Sequence, residues 1–165
     1  MKASQKNITF WSIAIAIAAL DFITKRMIEN SLERGQSVEV IGEFLRFTLG
    51  YNTGIAFGIS LGGSSRVFLI LVTLLTMGLI AWLFKSVDER HKAQVIAFGL
   101  IMGGAIGNLL DRVFGTQGVV DFIDVGVGAT RFWTFNIADS GITVGAVLLI
   151  LSSLFEKQED QRAAA

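Results

Sequence analysis

The hydrophobic residues of this chain are gathered into four long runs separated by polar connections. The runs cover residues 8–24, 67–84, 93–110 and 137–155, and the second of them contains no charged residue. About 20 consecutive apolar residues form a helix long enough to cross the hydrocarbon core of a bilayer. The pattern therefore predicts an integral membrane protein, mainly α-helical, with four transmembrane helices in one domain that covers residues 1–165.

The first run has a second interpretation, because a basic start, an apolar middle and small residues also characterise a cleaved signal peptide. Lys2 and Lys6 precede the run, and Ala16, Ala18 and Ala19 lie within it. Since three further runs follow, we expect the first run to be retained as a span.

Two longer polar segments, approximately 25–66 and 111–136, lie on the opposite side of the membrane from the ends of the chain. In the first, residues 38–41 and 44–51 are rich in β-branched and aromatic side chains, with a possible turn at Gly42 between them. This arrangement predicts a small β-hairpin.

The second predicted strand of the hairpin has one apolar face, because Leu45, Phe47 and Leu49 alternate with polar residues. We expect this face to rest on lipid or to cover a substrate. The glycines at positions 99, 103 and 107 of the third run recur at helical spacing, and they predict close packing of that helix against its neighbours.

Basic residues indicate how the chain is oriented. Those on the side of the two chain ends are concentrated in short segments, which weigh most in the positive-inside rule. We therefore expect the ends to face the cytoplasm and the longer connections to lie outside. The basic residues concerned are Lys2, Lys6, Lys85, Arg90, Lys92, Lys157 and Arg162.

Composition excludes several function classes. The chain is 52% hydrophobic, with a mean hydropathy of +0.60 and a formal net charge of zero, so it offers no basic surface for nucleic acid. It contains no cysteine, which excludes disulfides, thiolate nucleophiles and cysteine-ligated metals. Its one histidine, His91, excludes any site that needs two imidazoles.

Aspartates and asparagines, with two basic residues, gather at the predicted outer ends of the spans. Carboxylates inside a membrane-spanning segment are costly, about 2.5–3.5 kcal/mol at a helix centre, and indicate function by default. Unrelated structural ion pairs would be spread over both membrane surfaces. The one-sided group comprises Asp21, Lys25, Asn52, Asn108, Asp111, Arg112, Asp121, Asn136 and Asp139.

Simpler interpretations remain open for parts of this group. Asn52 and Gly54 also fit an ordinary turn. Asp111 and Arg112, at the end of the third run, also fit an ordinary ion pair at the membrane surface.

The residues present restrict the chemistry to carboxylates. The H-E-x-x-H zinc motif is absent, and His91 lies on the opposite side from the polar group. A Ser–Lys pair using Lys25 is conceivable, although Asp21 is the nearer partner of that lysine. The carboxylates of Asp121 and Asp139 remain as candidates. Two neighbouring carboxylates share one proton, because both cannot easily ionise together. The ionised one can then activate a water molecule while the protonated one donates to a carbonyl oxygen. The sequence does not assign the two roles.

Functions of other classes are alternatives to a hydrolase that uses two aspartates. A small transporter or proton-relay protein would use intramembrane carboxylates and would need polar residues from one face to the other. Here the inner halves of the spans are almost purely apolar. A presenilin-like aspartyl protease would carry a G-x-G-D signature, which is missing. A structural or assembly factor without chemistry is the remaining alternative.

Five motifs together resemble lipoprotein signal peptidase, the bacterial type II signal peptidase. They occur in order, at matching spacings, over nearly the whole chain. They read LDFITK (20–25), NTGIAFG (52–58), GGAIGNLLDR (103–112), VVDF (119–122) and FNIADS (135–140).

The resemblance implies a fold and an activity. The family has four transmembrane helices, a small extracytoplasmic β-cradle and a second helical periplasmic segment. It removes the signal peptide of prolipoproteins just before a cysteine that already carries diacylglyceryl. The resemblance thus implies an aspartic endopeptidase of the bacterial inner membrane, without cofactor or metal. Its partners would be membrane lipid and the lipidated substrate, and we expect a monomer.

The resemblance also implies roles for individual residues. Asp121 and Asp139 would form the catalytic dyad, whereas Asp124 is outside the motif and is expected to be a solvated loop residue. Trp133 stands where the family often has proline. The resemblance therefore does not imply a rigid backbone in the segment that leads to Asp139. Supporting roles around the site would fall to Asp21, Lys25, Asn52, Gly54, Asn108, Asp111, Arg112 and Asn136.

Overall fold

The computed structural model describes residues 4–54 and 65–163. The helices are α1 (Gln5–Ser31), α2 (Ser65–Ser86), α3 (Lys92–Phe114) and α4 (Ile137–Ala163). The strands are β1 (Ser37–Ile41), β2 (Leu45–Asn52), β3 (Val119–Val127) and β4 (Thr130–Arg131).

The described chain contains four helices that are long and apolar enough to cross a membrane, which confirms the predicted fold class. These helical segments are Gln5–Ser31, Arg66–Ser86, Lys92–Phe114 and Ile137–Phe155. Helix α1 continues to Ser31 and α3 to Phe114, so both extend beyond the apolar runs of the sequence. The added turns carry polar residues to the end of the bundle that adjoins the sheet, called the outer end below.

Helix α3 lies at the centre of the bundle and packs against the other three helices. A Cβ atom on Gly103 would lie 2.6 Å from the Ala14 carbonyl oxygen of α1, and one on Gly104 would collide with the Ala138 carbonyl of α4.

In the predicted stripe, a Cβ on Gly99 would lie 3.0 Å from the Phe10 carbonyl oxygen, and one on Gly107 would lie 2.6 Å from Asp21 Oδ2. The packing role predicted for Gly99, Gly103 and Gly107 is therefore confirmed.

An apolar cluster closes the end of the bundle opposite the sheet, called the inner end below. The ring centroids of Phe10 in α1 and Phe84 in α2 are stacked 4.1 Å apart, and Phe98 of α3 packs edge-on against Phe84. Most other apolar side chains of α2 are exposed, which is the expected state of a helix surrounded by lipid.

The strands form an antiparallel sheet in the order β1–β2–β3–β4. The predicted hairpin is confirmed, with Gly42 at a φ of +47° in its turn. The second outer connection supplies β3 and β4 to the same sheet. The additional helical segment that the family resemblance implies is not found among residues 4–54 and 65–163, and the chain between those ranges lies outside the description.

The apolar face of β2 is part of the protein core, contrary to the sequence-based expectation. Leu49 is only 3% exposed, and Phe47 packs with it against Val120, Phe122 and the outer end of α1. The extension of α1 beyond its apolar run provides this cover at Ile28. Phe47 and Leu49 are therefore not free to rest on lipid or to hold a substrate, whereas Leu45 is partly exposed and lies outside this cluster.

Candidate active site

The structure brings the predicted polar residues together where the outer ends of α1 and α3 meet the sheet and the beginning of α4. The residues arrive on five different elements because α1 and α3 both end at this side, while α4 begins here directly after the sheet. The group consists of Asp21 and Lys25 on α1, Asn52 on β2, Asn108, Asp111 and Arg112 on α3, Asp121 on β3, and Asn136 and Asp139 at the start of α4.

Asn136 joins the two candidate catalytic aspartates. Its Nδ2 donates to Asp121 Oδ1 at 2.7 Å, and its Oδ1 accepts from the backbone N–H of Asp139 at 2.8 Å. Because Asn136 immediately precedes α4, the second bond also caps the helix N-terminus. One fully buried side chain thus fixes β3 relative to the first turn of α4.

Asn108 supports the same pair from α3. Its Nδ2 donates to Asp139 Oδ1 at 2.8 Å, and its Oδ1 accepts from Asn136 Nδ2 at 3.1 Å and from Lys25 Nζ at 3.3 Å. Both ends of this amide have partners, which define its orientation and aim its N–H groups at Asp139.

A buried ion cluster lies behind the two amides. Lys25 Nζ is 2.7 Å from Asp21 Oδ2 and 2.9 Å from Asp111 Oδ2. Each carboxylate also accepts from a backbone N–H near the site: Asp21 from Ala138 at 2.9 Å and Asp111 from Val120 at 3.2 Å. The cluster therefore holds the residues that precede Asp121 and Asp139.

Asp121 has a strongly shifted protonation equilibrium. Burial of the carboxyl group, which is 4% exposed, and the charge of Asp139 raise the pKa of Asp121 from 3.8 to about 7. Hydrogen bonds from Asn52 and Asn136 and the charge of Lys25 oppose this rise without cancelling it. A carboxyl group that is half protonated near neutral pH suits proton transfer.

The remaining predicted residues lie at the rim of the site. Asn52 links to Gly54, whose backbone N–H donates to Asn52 Oδ1 at 3.1 Å. Arg112 Nη1 donates to the Asn108 carbonyl at 3.2 Å. The Arg112 guanidinium also interacts electrostatically with the carboxylates of Asp121 and Asp139. Within the described ranges, no group of three or more His, Cys, Asp or Glu side chains could hold a metal ion.

Comparison with known proteins now identifies the family. A family model described as "Signal peptidase (SPase) II" matches residues 13–155, which is most of the chain.

The chain belongs to the signal peptidase II family.

Individual relatives agree with this assignment. The chain is 38% identical to a lipoprotein signal peptidase of Hydrogenovibrio crunogenus, covering 99% of this chain and 95% of that protein. It is also 38% identical to a lipoprotein signal peptidase of Shouchella clausii, covering 92% of this chain and 96% of the relative. The family membership identified from the five motifs is therefore confirmed, and with it a type II signal peptidase function.

Solved structures share the fold. One bacterial membrane enzyme, determined in meso at 2.3 Å resolution, matches with a TM-score of 0.82 at 35% identity, over 92% of this chain and 90% of that one. A second, determined at 1.9 Å, matches with a TM-score of 0.79 at 36% identity, over 88% of this chain and 92% of that one.

Membership of the signal peptidase II family favours a peptidase over the small transporter that was the alternative from the sequence.

The prediction for Asp124 in this signal peptidase II was also wrong. Asp124 is not a solvated loop residue but lies in β3 and is 6% exposed. Its carboxylate is 2.6 Å from Arg131 Nε and accepts from Thr48 Oγ1 at 3.0 Å. The β3–β4 turn brings Arg131 back over Asp124, and charge complementarity seven residues apart was the signal available in the sequence.

Two arginines near the site were not among the residues predicted from the sequence. Arg26 Nη2 lies 3.2 Å from Asp111 Oδ1, one residue after the predicted Lys25. Arg66, at the start of α2, donates to backbone carbonyls at the end of α3. Backbone acceptors leave no trace in an amino-acid sequence, so this contact was not predictable.

Proposed function

We propose that this protein is an aspartic endopeptidase that removes the signal peptide from diacylglyceryl-modified prolipoproteins, cutting just before the lipidated cysteine. Asp121 and Asp139 are the catalytic residues of the proposal and are called the dyad below. The observation that carries it is the asparagine bridge, because Asn136 contacts both members of the dyad and Asn108 orients the carboxylate of Asp139.

The proposed chemistry assigns the two roles. The proposal assigns the shared proton to Asp121, because its pKa is raised to about 7 and the group is therefore half protonated at neutral pH. Asp139 takes a proton from a water molecule as the water oxygen attacks the scissile carbonyl carbon, and Asp121 gives its proton to the carbonyl oxygen. The carbon–nitrogen bond then breaks, the proton on Asp139 passes to the departing amine, and Asp121 regains its proton from the collapsing hydroxyl.

The surrounding residues act on this reaction without exchanging protons. Asn108 and Asn136 hold the two carboxyl groups in fixed positions, so little rearrangement is needed when charge moves between them. The Lys25 cluster supplies positive charge behind the amides, and Arg112 supplies it at the rim.

The substrate class is supported by the location of the dyad and by the relatives. The site lies at one end of four apolar helices whose outer surfaces, on α2 and α4 above all, expose large hydrophobic side chains. A substrate anchored in the bilayer by acyl chains can reach such a site by lateral movement. The relatives at 38% identity are named lipoprotein signal peptidases, and we extend that substrate to this chain.

The proposal includes an orientation and an assembly state. The chain ends face the cytoplasm and the dyad lies at the outer surface of the bacterial inner membrane, as the distribution of basic residues favours. In the proposal the protein acts as a monomer, with both members of the dyad on one chain.

The experiment uses the purified protein and two synthetic precursors that differ only in diacylglyceryl on the cysteine thiol. We expect cleavage of the lipidated precursor alone, and mass spectrometry should find the cysteine at the N-terminus of the product. Equal cleavage of the unlipidated precursor would overturn the substrate class. A cut elsewhere in the lipidated one would overturn the position.

A further inference from the structure

Helix α2 has few connections to the rest of the protein. Its backbone packs beside α3, whereas α1 reaches it mainly through side chains at the inner end, where Phe10 stacks on Phe84. Its outer end is fastened differently. There the side chain of Arg66 crosses to the last turn of α3, the turn that carries Asp111 and Arg112.

Arg66 donates hydrogen bonds to carbonyl groups at the C-terminal end of α3. Its Nε donates to the Arg112 carbonyl at 2.6 Å, and its Nη2 donates to the Val113 carbonyl at 2.9 Å. The preceding carbonyl, that of Asp111, accepts from the backbone N–H of Gly115 at 2.8 Å. The final carbonyls of a helix have no partners within it and carry partial negative charge, so a guanidinium is a favourable cap there.

The capped turn faces the dyad. Asp111 pairs with Lys25 and accepts from the Val120 N–H, one residue before Asp121. Arg112 lies near both dyad carboxylates. A cavity of about 100 Å³ separates this turn from the end of β2, and Arg66, Arg112 and Asn52 all line it. Any shift of the turn would therefore move charges that act on the dyad.

We propose that Arg66 is a positioning residue for the peptidase reaction, acting through the last turn of α3 rather than on the substrate. Resting on the proposed function, this adds a residue outside the predicted site and gives the outer end of α2 a role. Arg66 ties that end to Arg112, so α2 and the dyad keep a fixed relation when a substrate approaches from the lipid.

Lys6 of α1 provides a matched control at the other end of α2. Its Nζ donates to the Lys85 carbonyl at 3.3 Å and contacts the Val87 carbonyl, so it caps α2 at the inner end as Arg66 caps α3 at the outer end. Both contacts join a cationic side chain to carbonyls at a helix C-terminus. Only the contact of Arg66 adjoins the dyad.

The test compares Arg66→Gln, Arg66→Lys and Lys6→Gln in the same bilayer-mimicking detergent. We expect Arg66→Gln to lower kcat on the lipidated precursor about 10-fold, with KM within about twofold, because misplaced catalytic groups affect the chemical step. Arg66→Lys should recover part of the loss, since an ammonium reaches one carbonyl. The alkaline limit of the rate should move to higher pH in Arg66→Gln, as Arg112 recedes from Asp121. Lys6→Gln should leave kcat and that limit unchanged.

A second measurement does not depend on cleavage. Hydrogen exchange of the peptide that covers the end of α3 should be about 10-fold faster in Arg66→Gln and unchanged in Lys6→Gln. Unchanged exchange or an unchanged kcat in Arg66→Gln, or equal loss of kcat in Lys6→Gln, would overturn the proposal. Failure of the unaltered protein to cut the precursor would instead overturn the proposed function, and the exchange result would still decide whether Arg66 holds the turn.

Discussion

The amide of Asn136 and the carboxylate of Asp121 lie 2.7 Å apart in the interior of the protein, and the same amide accepts from the backbone N–H of Asp139. The side chain of Asn136 also donates to the Val120 carbonyl at 3.2 Å. It is fully buried, so none of these bonds can be replaced easily by bulk water. Asn136 is therefore the residue on which the geometry of the dyad depends most.

Replacement of Asn136 by alanine should disrupt the site and weaken the fold. We expect kcat to fall at least about 100-fold, because the dyad loses the group that fixes its separation. Leaving several buried partners unsatisfied should lower the free energy of unfolding by about 2–4 kcal/mol. Cleavage kinetics and thermal unfolding measure the two effects. Asn7→Ala, at an exposed position near the inner end, is the control, and an Asn136→Ala variant that behaves like it would contradict this role.

The pH dependence of cleavage should follow the proton on Asp121. Its pKa is raised to about 7, so the folded protein holds this proton at pH values where an ordinary aspartate has lost it. If Asp121 donates to the carbonyl oxygen, kcat is highest below about pH 7 and falls as the pH rises through that value. Rates measured with the lipidated precursor in buffers from about pH 5.5 to 9 test this. A rate that increases across the same range would exclude Asp121 as the acid.

The buried Lys25 should stabilise the folded protein as well as the arrangement of the active site. Replacement by methionine leaves Asp21 without its cationic partner and Asp111 with Arg26 alone, and it should destabilise the protein by about 3–5 kcal/mol. The double variant Asp21→Asn/Lys25→Met removes the charge of Asp21 and should be more stable than Lys25→Met alone. Unfolding in matched detergent checks both. A single variant as stable as the unaltered protein would show that the ion cluster is unimportant for stability.

Close packing of α3 on α4 should tolerate no methyl group at Gly104. A Cβ there would collide with the Ala138 carbonyl, next to Asp139, so Gly104→Ala should cost about 1–3 kcal/mol and reduce cleavage. Gly78→Ala is the matched control, because nothing lies within 4 Å of the Cβ that it would introduce on α2. It should be neutral or slightly stabilising, since alanine favours helix over glycine. Equal behaviour of the two variants would contradict the packing described for α3.

The membrane spans and the hairpin could be predicted because their signals are local. An apolar run of bilayer length specifies a spanning helix without reference to the rest of the chain. The alternation along β2 and the turn at Gly42 likewise specify a hairpin. Chain direction then places Asp21, Asn108 and Asp139 at the same membrane surface, so the composition of the site was available before its geometry.

Other features depend on contacts between distant segments. The apolar face of β2 is covered by the end of α1, and the sequence shows that the face is apolar but not which element covers it. Asp124 is buried because the β3–β4 turn returns Arg131 to it. The cap formed by Arg66 uses backbone carbonyls, which every residue possesses. In each case the missing information is which segment lies next to which.

The dyad itself is tested most directly by Asp121→Asn, Asp139→Asn and the double variant, each incubated with purified lipidated precursor. Asparagine keeps the shape of the side chain but cannot transfer the proton. Asp124→Asn serves as the control for loss of a buried carboxylate on β3, with rates expressed per folded molecule. If the two aspartates work as one unit, both single variants lose nearly all of the rate and the double variant loses no more, while Asp124→Asn still cuts. Cleavage at the unaltered rate by either Asp121→Asn or Asp139→Asn would contradict the account.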